Sequence, residues 1–120
     1  MFLCLPTTFI ACGEAICSRA ESSYASISKK LKDCAPSGQK YFQFVADRTR
    51  CDITIKTCSD ADKKILTNNF DCTDKLPACT ADTYGNFSSS VTTCGSVGSL
   101  STGCIGAVAG FVTTSEETKP

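Results

Sequence analysis

Histidine and tryptophan are both absent from the 120 residues of this chain. Without histidine, a Ser-His-Asp triad, a Cys-His pair and the histidine-dependent secreted phospholipases are excluded in their usual forms. Net charge is missing as well, with 12 Lys+Arg against 12 Asp+Glu. A balanced chain has no global field to draw in nucleic acid or an anionic membrane, so no nucleic-acid partner is expected. No apolar run reaches the ~18 residues that a membrane span requires. Aromatic residues are few, seven Phe and three Tyr, which leaves a lean core.

What the chain does have is cysteine: Cys4, Cys12, Cys17, Cys34, Cys51, Cys58, Cys72, Cys79, Cys94 and Cys104. Ten in 120 residues is the density of a disulfide scaffold, and it points to an oxidising compartment, so the protein is expected to be secreted or extracellular. Each bridge would add roughly 2–4 kcal/mol to a marginal balance. Zinc sites want close cysteine pairs and often histidine. Here only Cys12 and Cys17 lie close, with no second such pair, so no metal and no cofactor are expected. C-x-x-C does not occur, which excludes the usual dithiol redox motif. The number of full pairings is roughly a thousand, and sequence does not choose among them. One local rule holds: if 51–58 is helical, Cys51 and Cys58 stand about 10.5 Å apart and must pair elsewhere.

Residues 1–13 hold a short apolar stretch interrupted by Pro6 and two threonines, with no basic start. They read either as mature sequence or as the tail of a signal segment. Residues 8–34 carry the clearest periodicity: Phe9, Cys12, Ile16, Ala20, Tyr24, Ile27, Leu31 and Cys34 step by three or four along one helical stripe. Pro36-Ser37-Gly38 then stops the helix. Tyr41, Phe44, Arg48 and Cys51 continue helical spacing, which predicts a helix over 39–50. Over 51–57 helical and strand spacing compete, leaving a helix or a short extended segment. Ser59, with Asp60 and Asp62 behind it, makes a helix start. Ile65, Leu66 and Phe70 give that helix its buried side. Asp71–Thr80 reads as a stapled loop. Tyr84, Phe87, Val91 and Cys94, and then Val97, Leu100, Cys104, Val108 and Phe111, keep helical spacing despite many Ser, Thr and Gly. The tail 113–120 is polar and expected to fray. Most cysteines fall on these apolar seams. The expectation is therefore one all-α domain over 1–120, a disulfide-stapled bundle of four or five helices.

Catalytic chemistry is poorly supplied, and an enzyme is not expected. The carboxylate pairs Asp60/Asp62 and Asp71/Asp74 read as helix-start acids and a solvated loop rather than an acid/base pair or a calcium site. Asn86-Phe87-Ser88 is an acceptor sequon for N-glycosylation. The uncharged stretch Gly103–Val112 reads as a tightly packed core helix or, within 95–112, a self-association segment.

Size and cysteine density are similar to those of several helical, disulfide-stapled secreted families, but the spacings are not. The adjacent Cys-Cys and Cys-x-Cys pairs of plant lipid-transfer proteins are absent, and oomycete elicitins and saposin-like domains space their cysteines differently. No family is assigned. Three non-enzymatic functions fit the residues. The first is contact with a protein partner, such as a receptor, a host protein or a matrix component, because a rigid stapled surface loses little entropy on docking. The second is carriage of a lipid or other apolar ligand, with Phe9, Tyr24, Phe42, Phe44 and Phe70 as lining. The third is a structural role in an extracellular assembly.

Overall fold

The computed structural model describes residues 13–95 and 99–120. Cys4, Phe9 and Cys12 lie outside them. In chain order the elements are α1 (Gly13–Cys34), β1 (Lys40–Ala46), α2 (Arg48–Thr54) running into a 3-10 turn (Ile55–Thr57), α3 (Asp60–Asp74), α4 (Tyr84–Cys94), α5 (Thr102–Phe111) and β2 (Val112–Thr118). The molecule is mostly helical, but β1 and β2 form a two-stranded antiparallel sheet, so the all-α expectation is corrected.

The stripe on α1 does what its spacing predicts. Ile16, Ala20, Ile27, Leu31 and Cys34 are all buried. The helix expected over 39–50 is instead a strand followed by a helix start. Tyr41-Phe42-Gln43-Phe44-Val45 is rich in residues that fit a pleated surface, and Asp47 caps α2 by accepting a hydrogen bond from Arg50 N. The extended segment proposed near 51–57 is helical throughout. Spacing of three and four could not separate these outcomes, because the partner that makes β1 a strand lies some seventy positions on.

That partner is the tail, which does not fray. Lys40 to Ala46 pair with Thr118 to Val112 in continuous register. Beyond the ladder, Gly38 N donates to Lys119 O at 2.9 Å, and Ser37 Oγ donates to Pro120 O at 2.9 Å. Gly38 makes this turn with φ 82°, a left-handed conformation that costs glycine nothing. The far edge of β1 is closed by α1. Ser28 Oγ accepts from Phe44 N at 2.8 Å and donates to Phe44 O at 3.1 Å, standing in for a third strand.

Four disulfides join the described residues: Cys17–Cys51, Cys34–Cys79, Cys58–Cys104 and Cys72–Cys94. They tie α1 to α2, the end of α1 to the α3–α4 loop, the start of α3 to α5, and α3 to α4. Cys51 and Cys58 pair elsewhere, as helical geometry requires. Their sequence separations run from 22 to 46 residues, which on the chain-entropy account is worth roughly 3–4 kcal/mol each. Two core clusters result. One gathers Ile16, Cys17, Cys51, Ile55, Leu66, Phe70, Cys104 and Phe111. The other gathers Ile27, Leu31, Cys34, Tyr41 and Tyr84. Tyr24 packs against both.

Candidate functional site

The seam between the two clusters is not filled. A cavity of about 300 Å³ opens there, lined by Tyr24 and Ile27 of α1, Phe44 of β1, Leu66 and Phe70 of α3, Val91 of α4, Val108 of α5 and Val112 of β2, among others. Each element contributes for a local reason. α1 continues its stripe past Tyr24, α3 presents Leu66 and Phe70 one turn apart, and the pleat of β1 turns Phe44 inward. Cys72–Cys94 fixes α4 beside α3 and so holds Val91 over the opening.

The aromatic rings form a chain. Tyr24 meets Phe70 edge to face, with centroids 5.9 Å apart and planes at 84°. Tyr24 also meets Phe44 at 6.1 Å, and Phe44 meets Phe42 at 6.4 Å. The first is the favourable edge-to-face arrangement, the other two are tilted at 41° and 37°, and all three lie within the centroid range of interacting pairs. Of the five residues proposed as ligand lining, Tyr24, Phe44 and Phe70 therefore surround one cavity. Phe42 is 45% exposed and sits instead on an open groove with Lys40, Tyr84 and Glu116. Phe9 lies outside the described residues. The aliphatic wall from Val91, Val108 and Val112 is not assigned from sequence; helical spacing marks Val91 and Val108 as core, and Val112 closes the stretch expected as a packed core helix, where the structure instead begins β2.

Four polar residues, Asn69, Thr73, Thr92 and Thr114, join the lining, and Thr73 among them is buried. Burial pushes the Tyr24 phenol above its ordinary range, so it stays protonated and neutral at any physiological pH. No charged side chain lines the cavity. An Arg nonetheless backs it: Arg19 stacks its guanidinium 5.9 Å over the Phe70 ring. It donates to Asp71 Oδ1 at 2.8 Å and Asp74 Oδ2 at 2.6 Å, and these bonds hold its pKa above the usual value. Asp71 and Asp74 are thus the last turn of α3 clamped onto α1, not a loop.

Asp62 is a helix-start acid, as expected, and reaches further than the helix it starts. It completes a capping box with Ser59 on α3, and it is buried at 3% exposure. It accepts from Ser101 N at 3.0 Å, Ser101 Oγ at 2.7 Å and Ser59 N at 3.0 Å. These bonds, the Ser101 backbone first, lower its pKa to about 2. Asp62 lies beside Cys58 and Cys104, but their sulfurs are bonded to each other and offer no thiolate.

Asn86 is exposed in the first turn of α4 with its sequon neighbour Phe87 buried. The apolar part of 95–112 forms α5, which buries Cys104, Ala107 and Phe111. No helix among the described residues is long and apolar enough to cross a membrane. No protein-family model, curated protein or solved structure matches this chain.

Proposed function

We propose that this protein is a secreted, non-enzymatic binding protein that holds a small apolar ligand in the cavity between α1, α3, α4 and the sheet. The observation that carries the reading is the convergence of Tyr24, Phe44 and Phe70 on one uncharged cavity inside a disulfide frame. Its volume of about 300 Å³ is at the lower end of ligand sites, and about twice the ~150 Å³ that takes benzene. A two- or three-ring aromatic or a short aliphatic chain has the matching bulk. The disulfides support secretion, and the exposed sequon at Asn86 suits glycosylation in that route.

The test is a fluorescence titration with N-phenyl-1-naphthylamine, a neutral apolar probe. The wild type should bind with a rise in emission. Val91→Trp adds bulk to the cavity lining and should weaken binding at least tenfold at unchanged folded-state circular dichroism. Phe42→Ala, outside the cavity, should leave the affinity alone. Equal binding by Val91→Trp would place the probe elsewhere and end the reading. A second reading, contact with a protein partner, has the exposed apolar side chains Phe42, Val45 and Ile53 behind it.

A further inference from the structure

We propose that β2 is a docking edge for a second copy of this chain, the two β2 strands pairing antiparallel so that two small sheets become one of four strands. The inference is independent of the ligand cavity and starts from the direction of backbone groups. At the ends of the ladder, Asp47 N donates to Phe111 O at 2.7 Å and Lys119 N donates to Gln39 O at 2.9 Å. In an antiparallel pair, hydrogen-bonded positions alternate. The odd-numbered residues of β2 therefore bond to β1, and Thr114, Glu116 and Thr118 aim their N–H and C=O groups away from it, while the Val112 N–H is already donated to Val108 O at the end of α5. Phe44 shows the same alternation from the other side, since its backbone bonds to Ser28 and not to β2.

One edge of the sheet is thus closed by α1, and the other is open. Among the described residues no strand pairs with the outer side of β2, and Thr113 to Thr118 are all exposed. Of the usual protections of an edge the strand has two charges, Glu116 and Glu117, but no proline, no lysine and no bulge in its register.

The strand suits its own copy. Outward-facing residues must meet outward-facing residues, so a two-fold pairing has few registers. Centred on Ser115, all seven residues pair, Glu116 falls opposite Thr114 and Glu117 opposite Thr113. Moving the centre to Glu116 sets that carboxylate against itself, which is destabilising across strands. In the favoured register Lys40, 3.7 Å from Glu116, offsets the glutamate approaching on the diagonal. The chain's formal net charge of zero adds no long-range repulsion between copies. Two seven-residue strands form a small interface, below about 1,200 Å², so the dimer should be weak and concentration-dependent.

The test is sedimentation velocity combined with residue-resolved amide exchange, from micromolar to millimolar protein. The mass should climb from 12.7 kDa toward twice that value. The amides of Thr114, Glu116 and Thr118 should gain protection with concentration, while those of Thr113, Ser115 and Glu117, bonded to β1, and of Val112, bonded to Val108 O, stay protected throughout. Ser115→Lys puts two ammonium groups on the two-fold axis and should keep the protein monomeric, while Ser115→Ala should dimerise as the wild type does. A wild type that stays monomeric at millimolar concentration overturns the proposal. So does a dimer that survives Ser115→Lys, or one that leaves the three outward amides unprotected.

Discussion

Ser28 decides more than its size suggests. It is buried at 8% exposure, and its one hydroxyl serves both the N–H and the C=O of Phe44, while its backbone carbonyl accepts from Gln43 Nε2 at 3.0 Å. Ser28→Ala would leave a strand edge unsatisfied against α1, at a cost of about 1–3 kcal/mol. Urea denaturation should show that loss, and the Phe44 ring should lose its fixed place in the cavity. Gly106 has the opposite sign. It lies within α5 with open space where a Cβ would go, so Gly106→Ala should gain about 0.5–1 kcal/mol from a stiffer unfolded chain. Asp62 sets the acid limit. Its folded pKa of about 2 lies below the 3.8 of a free aspartate, so its contribution is full above about pH 5 and is lost as pH falls toward 2. Asp62→Asn should flatten that part of the stability profile. Tyr24 and Tyr84 act at the alkaline end. Burial raises both phenols, so the folded state resists their ionisation, and stability should fall as pH rises past about 10.

Among the elements, those with a long apolar period were legible in the sequence, and those defined by a distant partner were not. Ile16 to Cys34 repeat over about five turns, and Ser59 caps α3 as its type predicts, because both signals are local. Tyr84, Phe87 and Cys94 were enough to place α4 in spite of its serines, since packing and Cys72–Cys94 supply what propensity does not. β1 failed for a physical reason. Tyr41 and Phe44 satisfy a helical step as well as a strand, and only the ladder to Val112–Thr118 decides. β2 failed because Thr, Ser and Glu on both faces carry no alternation when neither face is covered. Of the cavity, the aromatic wall was legible, and its aliphatic side waited on the tertiary arrangement. The disulfides should also differ in reactivity. Cys17–Cys51 and Cys58–Cys104 are buried on both sides, whereas Cys72 is exposed and Cys79 half-buried. Partial reduction followed by alkylation and peptide mass mapping should find Cys72–Cys94 and Cys34–Cys79 opened first. Early loss of Cys17–Cys51 would contradict the burial argument. Opening Cys72–Cys94 should also release α4 and abolish probe binding before the fold is lost.

For the whole molecule, disulfides offset a sparse core and leave space within it. Two clusters are packed around Cys17–Cys51, Cys58–Cys104 and Cys34–Cys79, and the seam between them, bridged by Tyr24, stays open to a ligand. A frame of this kind keeps a cavity preformed, so little ordering cost falls on binding. Nuclear Overhauser contacts between bound N-phenyl-1-naphthylamine and assigned protein side chains test this claim most directly. The account predicts contacts to the rings of Tyr24, Phe44 and Phe70 and to the methyl groups of Val91 and Val108. Contacts confined to Phe42, Gly85 and Ser88 in the open groove, or no bound probe at all, would contradict it.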